Sequence, residues 1–214
     1  MGRPAKVVSG PATSDRILEA AEREFARHGF EATRLEDIAT RVGLTRPSVL
    51  HRFGSKEALY AAVVERVCAR LRESLLQAMG VTGDFPARLR ATVGRFVDHL
   101  AADSTAAHLL LRELVDARGP GERLLREQVG PLLGLVEAFV RQSGKGVLRR
   151  RLDVRAAILD LVGAVTLHAV AGASRPALYG SPANPRAYSR DHFLQLASRT
   201  FLEEAPAVRG RRTA

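Results

Sequence analysis

The sequence predicts an all-α protein, and three observations support that fold class. Apolar residues recur at spacings of three and four over long stretches, which is the period of a helix with one buried face. No run of four to eight residues alternates as a half-exposed strand would. Glycine and proline lie mostly between the periodic stretches, where they end helices. We expect about nine helices in two parts, an N-terminal three-helix domain and a larger C-terminal helical domain.

Composition limits the partners and the compartment of the protein. A net charge of +10 with a pI near 11.0 favours polyanions. Residues 1–60 hold 10 Lys and Arg against 8 Asp and Glu, so only +2 lies there. The single cysteine, Cys68, falls on an apolar helical stripe and is expected to be buried. With no secretory signal and no apolar run of about 20 residues, we expect a soluble, cytoplasmic protein with no membrane contact.

The N-terminal region reads as three helices. Helix 1 begins near Thr13 and should end at His28, with Gly29 in a left-handed conformation. Thr33 and Glu36 have the spacing of a capping box that opens helix 2. Gly43 then allows a sharp turn into the next helix.

Helix 3 presents an outward basic edge. Thr45 can cap it, and Pro47 suits its first turn. Val49 and Phe53 face inward at a spacing of four. That leaves Arg46, Ser48 and Arg52 facing outward, with no acid among them.

These residues carry a family resemblance. The run FARHGFEATRLEDIATRVGLTRPSVLHRFGSKEALY, residues 25–60, resembles the N-terminal domain of the TetR family of bacterial transcriptional regulators. The resemblance implies a helix-turn-helix DNA-binding domain at residues 13–58 and an effector-binding and dimerisation domain at 59–204. Residues 1–12 and 205–214 are expected to be basic, flexible tails.

The resemblance also implies the residues that contact DNA. Arg46 is expected to read guanine and Ser48 to make a less selective base contact. Lys56, at a helix N-terminus, is expected to hold a phosphate. Leu50 stands where the family usually has a tyrosine that touches a phosphate, so one polar contact is missing. The full set of expected contacts is Arg34, Thr45, Arg46, Pro47, Ser48, Leu50, His51, Arg52 and Lys56.

The C-terminal region contributes the remaining helices. Helix 4, from Ser55 to about Met79, is long enough to act as a strut between two domains. Pro131 should kink or split helix 7. Helix 8 is apolar almost all round, and an irregular loop at 174–189 precedes helix 9 at about 190–204. In the family, helices 8 and 9 form the homodimer.

The resemblance further implies a small-molecule pocket within helices 4–8. Low aromatic content and the absence of tryptophan favour an aliphatic pocket for an apolar or acyl-type effector. Ordinary core packing is the alternative for every candidate lining residue. The candidates are Phe96, His99, Leu100, His108, Leu111, Phe139 and His168. No spacing indicates a metal site or a cofactor.

The resulting hypothesis is a homodimeric, ligand-responsive transcriptional regulator, a repressor released from a pseudo-palindromic operator. Two alternatives stay open: an effector-binding dimer that has lost its DNA contacts, and a nonspecific architectural DNA binder. Catalysis is not expected, because no phosphate loop, nucleophile elbow or HExxH motif is present.

Overall fold

The computed structural model describes residues 13–116, 121–173, 177 and 185–203, and within them the fold is helical apart from one isolated bridge. The predicted all-α class is confirmed. Both predicted tails lie outside the described residues. The helices are α1 (Thr13–Ala32), α2 (Leu35–Arg41), α3 (Arg46–Phe53), α4 (Lys56–Met79), α5 (Phe85–Ala102), α6 (Ser104–Asp116), α7 (Gly121–Leu124, a π-helical turn Leu125–Val129, and Gly130–Ser143), α8 (Val154–Val170) and α9 (Pro185–Phe201).

The first three helices pack around a small aromatic and aliphatic core. α1 contacts α4 and α6, and α3 contacts α2 and α4. Phe25 and Ile38 are fully buried, and Tyr60 from α4 meets Phe25 edge-to-face at 4.8 Å between ring centroids. The N-terminal helices are therefore held to α4 through side-chain packing.

The connection from α1 to α2 differs from the prediction. The capping box is wrong: α2 begins at Leu35, and its N-cap Arg34 makes no side-chain cap. Thr33 is buried, and its hydroxyl donates to the carbonyl of Gly29 at 2.6 Å and to that of Glu24 at 3.2 Å. Gly29 has φ +79°, which kinks α1, and the threonine hydroxyl links the carbonyls on the two sides of this turn. The positive φ predicted for Gly29 is confirmed, and the regular part of α1 ends there as expected, with residues 30–32 continuing as a short helical turn beyond the kink.

The turn between α2 and α3 agrees with the prediction. Gly43 has φ +69°, the left-handed conformation that favours glycine. The Thr45 hydroxyl accepts the amide of Ser48 as the cap of α3, and Pro47 lies in the first turn. On the other side of the turn, Arg16 of α1 donates to the carbonyl of Val42 at 2.8 Å. α3 is thus fixed relative to α1.

α4 has 24 residues, which makes it about 36 Å long. It contacts α1 and α3 on one side of the fold and α5 on the other. Two of its arginines bind acids of α1: Arg66 binds Asp15 and Glu19, and Arg70 binds Glu22. Cys68 is buried on this helix, as predicted.

The C-terminal helices continue the hydrophobic core along α4. α5 packs between α4 and α9, and α6 packs on α8. The predicted interruption of α7 is confirmed, since a π-helical turn ends directly before the segment whose first turn holds Pro131. α9 begins at Pro185, so the expected loop at 174–189 is wrong in its last residues. Proline is tolerated in the first turn of a helix, and there it does not indicate a loop.

Candidate functional site

The first turn of α3 faces outward. Arg46 and Pro47 are exposed, Ser48 is half-buried, and Val49 behind them is buried. The hydroxyls of Thr45 and Ser48 lie 3.0 Å apart, so the cap orders both side chains. A helix terminus with its polar groups ordered and exposed is suited to contact another macromolecule.

The cations near α3 differ in how firmly they are held. Arg34, His51 and Arg52 are exposed, and Arg52 donates to the hydroxyl of Ser14 at 3.4 Å. The ammonium of Lys56 donates to the carbonyl of Glu31 at 3.0 Å and lies 4.7 Å from the centroid of the Phe30 ring. Lys56 therefore also supports the end of α1.

α3 itself contains no acid, as predicted, but an acid of α2 lies beside its basic edge. The Glu36 carboxylate of α2 lies 3.3 Å from the Arg46 guanidinium, and both side chains are more than half exposed. Spacing had assigned Glu36 to the capping box, which the fold does not form. Its position on the outer face of α2 was the signal that could have placed it here.

A concave surface of about 720 Å³ lies beneath this edge. Leu50 lines this concave surface and also packs against the core. Its side chain is therefore purely apolar at the position where the family usually has a tyrosine. Charges of both signs surround it. The described lining is Thr33, Arg34, Leu35, Glu36, Asp37, Arg46, Leu50, Gly54, Ser55, Lys56 and Glu57.

A second feature is an apolar cavity of about 250 Å³ among the C-terminal helices. In the described lining, Thr92 is the one residue with a polar side chain, and its hydroxyl donates to the carbonyl of Arg88 at 2.8 Å. The lining is Leu71, Leu75, Leu89, Thr92, Val93, Phe96, Leu110, Val129, Leu132, Leu133, Val136, Phe139, Val140, Ile158, Leu159, Leu161, Val162, Gly163 and Phe201. Such a cavity can take an aliphatic group but offers no partner for a charge.

The predicted pocket residues fall into three groups. Phe96 and Phe139 line the apolar cavity. Leu100 and His168 line a separate pocket of about 420 Å³, where His168 lies 2.6 Å from the hydroxyl of Ser189.

His99, His108 and Leu111 are absent from the described lining of both spaces. Leu71 and Leu75 form the wall that α4 supplies, and neither was among the residues predicted from the sequence. The apolar stripe of helix 4 was the sequence signal for these two residues, but the same stripe is equally consistent with ordinary core packing.

His99 gives a pH-dependent contribution to stability. Burial lowers the pKa of this half-buried imidazole, and the positive charge of Arg70 lowers it further. The unfolded chain binds the proton near pH 6.5, whereas the folded chain binds it only at lower pH, so stability falls as pH drops below about 6.5. We expect His99→Gln to lose less unfolding free energy between about pH 7.5 and about pH 5.5 than the wild type. Urea unfolding at each pH measures this, and equal losses would contradict it.

Neither a metal site nor a membrane-spanning helix is found among the described residues. They contain no cluster of three or more His, Cys, Asp or Glu side chains arranged to hold a metal ion. No helix formed by these residues is both long and apolar enough to cross a membrane.

Comparison with known proteins agrees with this architecture. Residues 17–63 match the family described as bacterial regulatory proteins, tetR family. The transcriptional activator FasR of Mycolicibacterium smegmatis is 36% identical over 94 residues, which cover 44% of this chain and 43% of FasR. The match thus spans less than half of that relative.

Two solved structures are similar along most of the chain. The fatty acid degradation regulator FadR from Bacillus halodurans has a TM-score of 0.69 at 21% identity, covering 88% of this chain and 96% of that one. FadR from Bacillus subtilis in complex with stearoyl-CoA has a TM-score of 0.69 at 19% identity, with coverages of 86% and 96%. At 21% and 19% identity, the similarity to these two structures establishes the fold of the chain and nothing further.

The N-terminal helices with the exposed α3 are thus joined through α4 to further helices that line an apolar cavity. The N-terminal part of the chain is similar to the TetR family of bacterial regulatory proteins, and the fold is similar to that of a TetR-like transcriptional regulator from Rhodococcus.

Proposed function

We propose that the protein is a homodimeric transcriptional repressor that binds a pseudo-palindromic operator through α3 and is released by a small apolar effector. The observation that carries this proposal is the exposed, capped first turn of α3. In helix-turn-helix proteins that turn reaches the base edges of the major groove.

The residues near α3 divide by role. Arg46 can present its guanidinium to a guanine, and Ser48 can donate to or accept from a base. Leu50 offers only apolar contact, to a sugar or a thymine methyl. Thr45 and Pro47 hold the first turn in shape. The cations proposed to contact phosphates are Arg34, His51, Arg52 and Lys56.

A second copy is proposed to pair through α8 and α9. Leu159 and Leu167 on α8 are 51% and 58% exposed, although both are large and apolar. Gly163 lies midway between them, and a Cβ built there would meet nothing within 4 Å. Large, small and large residues at intervals of four form a self-complementary stripe for a twofold contact. To bind successive major grooves, such a pair must hold its two α3 helices about 34–36 Å apart.

α4 and α6 are proposed to couple the cavity to α3. Leu71 and Leu75 of α4 line the cavity, while Arg70, one position away, binds Glu22 of α1. Arg112 of α6 donates to the carbonyls of Ala26 and Arg27 in α1, at 3.4 and 3.2 Å. An effector that prefers a different spacing of these helices shifts the population away from the DNA-binding form.

The effector class follows from the cavity. Its described lining carries no charged side chain, which favours an aliphatic or acyl group. The stearoyl-CoA bound by FadR from Bacillus subtilis, a protein of the same fold, supports an acyl-type effector. We assign DNA binding to residues 13–58, effector binding and dimerisation to 59–204, and no catalytic role to either. The proposed site of action is the cytoplasm.

Titration against the protein's own promoter and against random DNA, at several salt concentrations, tests this function. Tight, sequence-selective binding supports the regulator. No binding to either DNA would leave an effector-binding dimer without DNA contacts. Equal, steeply salt-dependent binding to both would leave a nonspecific architectural protein.

Glu36 is expected to weaken DNA binding. Its carboxylate lies 3.3 Å from Arg46 and would face the phosphates, so Glu36→Gln should tighten binding to random DNA by roughly two- to five-fold. Fluorescence anisotropy at fixed salt measures the change. Glu65→Gln, an exposed position on α4, is the matched control for net charge. Weaker binding by Glu36→Gln would mean instead that Glu36 positions Arg46.

A further inference from the structure

A groove of about 190 Å³ runs between α7 and α8 beside the apolar cavity. The groove and the cavity share three lining residues, Leu133, Ile158 and Leu159. Ile158 is buried, and Leu133 on α7 is half-buried. Side-chain rotamers interconvert rapidly where a side chain keeps contact with solvent. Rotation of Leu133, which is not part of the proposed twofold contact, can therefore connect the two spaces.

Glycines keep the α7 side of this groove open. Gly130 and Gly134 lie one turn apart on α7 and both line the groove. A Cβ built at Gly134 would meet nothing within 4 Å. Because glycine inside a helix is about 1 kcal/mol less favourable than alanine, these positions cost stability and leave space.

The rim of the groove already holds a carboxylate between two arginines. Glu137 accepts hydrogen bonds from Nε of Arg155 at 2.6 Å and from Nε of Arg141 at 2.8 Å. The Glu137 side chain is 16% exposed, whereas that of Arg155 is 78% exposed. Two guanidinium groups thus face one carboxylate. Arg155 has room to bind a second anion, and a planar guanidinium binds a carboxylate or a phosphate equally well.

We propose that ligands enter the apolar cavity through this groove, and that Arg155 binds the anionic head group of an amphiphile whose unbranched chain lies in the cavity. The proposal rests on the proposed effector site and adds the entrance, the head-group residue and the ligand class. The chain leaves water for an apolar lining, while the charged head stays at the solvated rim, where it replaces or joins Glu137 as a partner of Arg155.

Calorimetric titration of the full-length protein with three ligands of one chain length tests the head-group site. The ligands are decanoate, decanoyl-CoA and decanol. Arg155→Gln should weaken binding of at least one of the two anions by about ten-fold and change decanol binding by less than about two-fold. A loss with decanoate indicates a carboxylate partner, and a loss confined to decanoyl-CoA indicates a phosphate. Arg150→Gln, an exposed arginine that does not line the groove, should leave all three unchanged.

Three results would overturn the head-group assignment. One is equal weakening of all three ligands in Arg155→Gln, and another is no weakening of either anion. The third is a selective loss of the anions in Arg88→Gln. Arg88 lies 5.1 Å from the centroid of the Phe139 ring at the cavity wall, so that loss would place the head group there.

Association kinetics test the entrance. Gly134→Leu projects a side chain into open groove space, and leucine is a better helix former than glycine, so the variant should fold. We expect the association rate of a fluorescent fatty-acid analogue, followed by stopped flow, to fall about ten-fold or more, with Gly134→Ala close to the wild type. An unchanged rate in a folded Gly134→Leu protein would place the entrance elsewhere.

Operator titration without ligand separates this proposal from the regulatory function. A protein that binds the operator but none of the three ligands remains a regulator and overturns the ligand assignment. If the protein binds the amphiphiles with the expected dependence on Arg155 but binds no operator, the ligand assignment stands and the proposed repressor function is wrong.

Discussion

Arg70→Ala is expected to destabilise the protein by roughly 1–3 kcal/mol, below the range for fully buried ion pairs because Arg70 keeps some contact with water. The Glu22 side chain is only 6% exposed, and Arg70 from α4 is its ion-pair partner. Removing the arginine leaves a buried carboxylate that must lose its charge or draw in water. Chemical denaturation followed by circular dichroism measures the loss.

Arg66→Ala is the matched control for this effect. Arg66 is also on α4 and also binds acids of α1, but its partners Asp15 and Glu19 are about half exposed. Exposed pairs of this kind contribute about 0.2–1 kcal/mol. Equal losses in the two variants would show that the burial of Glu22 does not decide the effect. Glu22→Gln combined with Arg70→Ala should recover part of the loss, since no buried charge then remains.

The pair also bears on how the two parts communicate. Arg70 immediately precedes Leu71, which lines the apolar cavity. A shift of α4 at the cavity must therefore either carry α1 with it or break the buried pair. Breaking it is costly, so movement of the two helices together is the easier response. We expect Arg70→Ala to reduce the effect of a ligand on DNA affinity as well as stability.

Local patterns in the sequence predicted most of the helices. Thr45, Pro47 and Gly43 act within a few residues of their own positions, and the structure places each as expected. Thr33 and Glu36 match a local pattern equally well, yet the Thr33 hydroxyl instead bonds to the carbonyls of Glu24 and Gly29 at the kink in α1. The kink is a backbone feature of α1 that the spacing of the two residues does not contain.

The long-range contacts could not be predicted in the same way. Glu22 and Arg70 are separated by 48 positions, and both fit an exposed helical face as well as a buried pair. The cavity could not be predicted for the same reason. α4, α5, α7 and α8 each contribute apolar residues to it, and in the sequence these residues have the pattern of core residues. The expected aliphatic character agrees with the wall, but the individual candidates were mainly phenylalanine and histidine, whereas aliphatic side chains make up most of the lining. Only the packing of the helices distinguishes a lined cavity from a filled core.

Arg46→Ala is expected to lower the preference for operator over random DNA by roughly 1–3 kcal/mol, the usual contribution of a bidentate contact between arginine and guanine. Arg46 is exposed at the first turn of α3, where its partner Glu36 is equally exposed. A pair between exposed side chains contributes about 0.2–1 kcal/mol, so exchanging Glu36 for a guanine costs little. Competition titrations of operator against random DNA measure the preference.

Arg52→Ala is a better control for the Arg46→Ala experiment than a substitution of Lys56. Lys56 also donates to the carbonyl of Glu31 and covers the Phe30 ring, so its loss would disturb the end of α1 as well as any phosphate contact. Arg52 makes a single long hydrogen bond to Ser14. Its removal should weaken binding to both DNAs alike and reduce the salt slope by about one, with the preference unchanged. If Arg46→Ala weakened both DNAs equally too, Arg46 would be a phosphate contact, and base reading would fall to Ser48 and the apolar surface of Leu50.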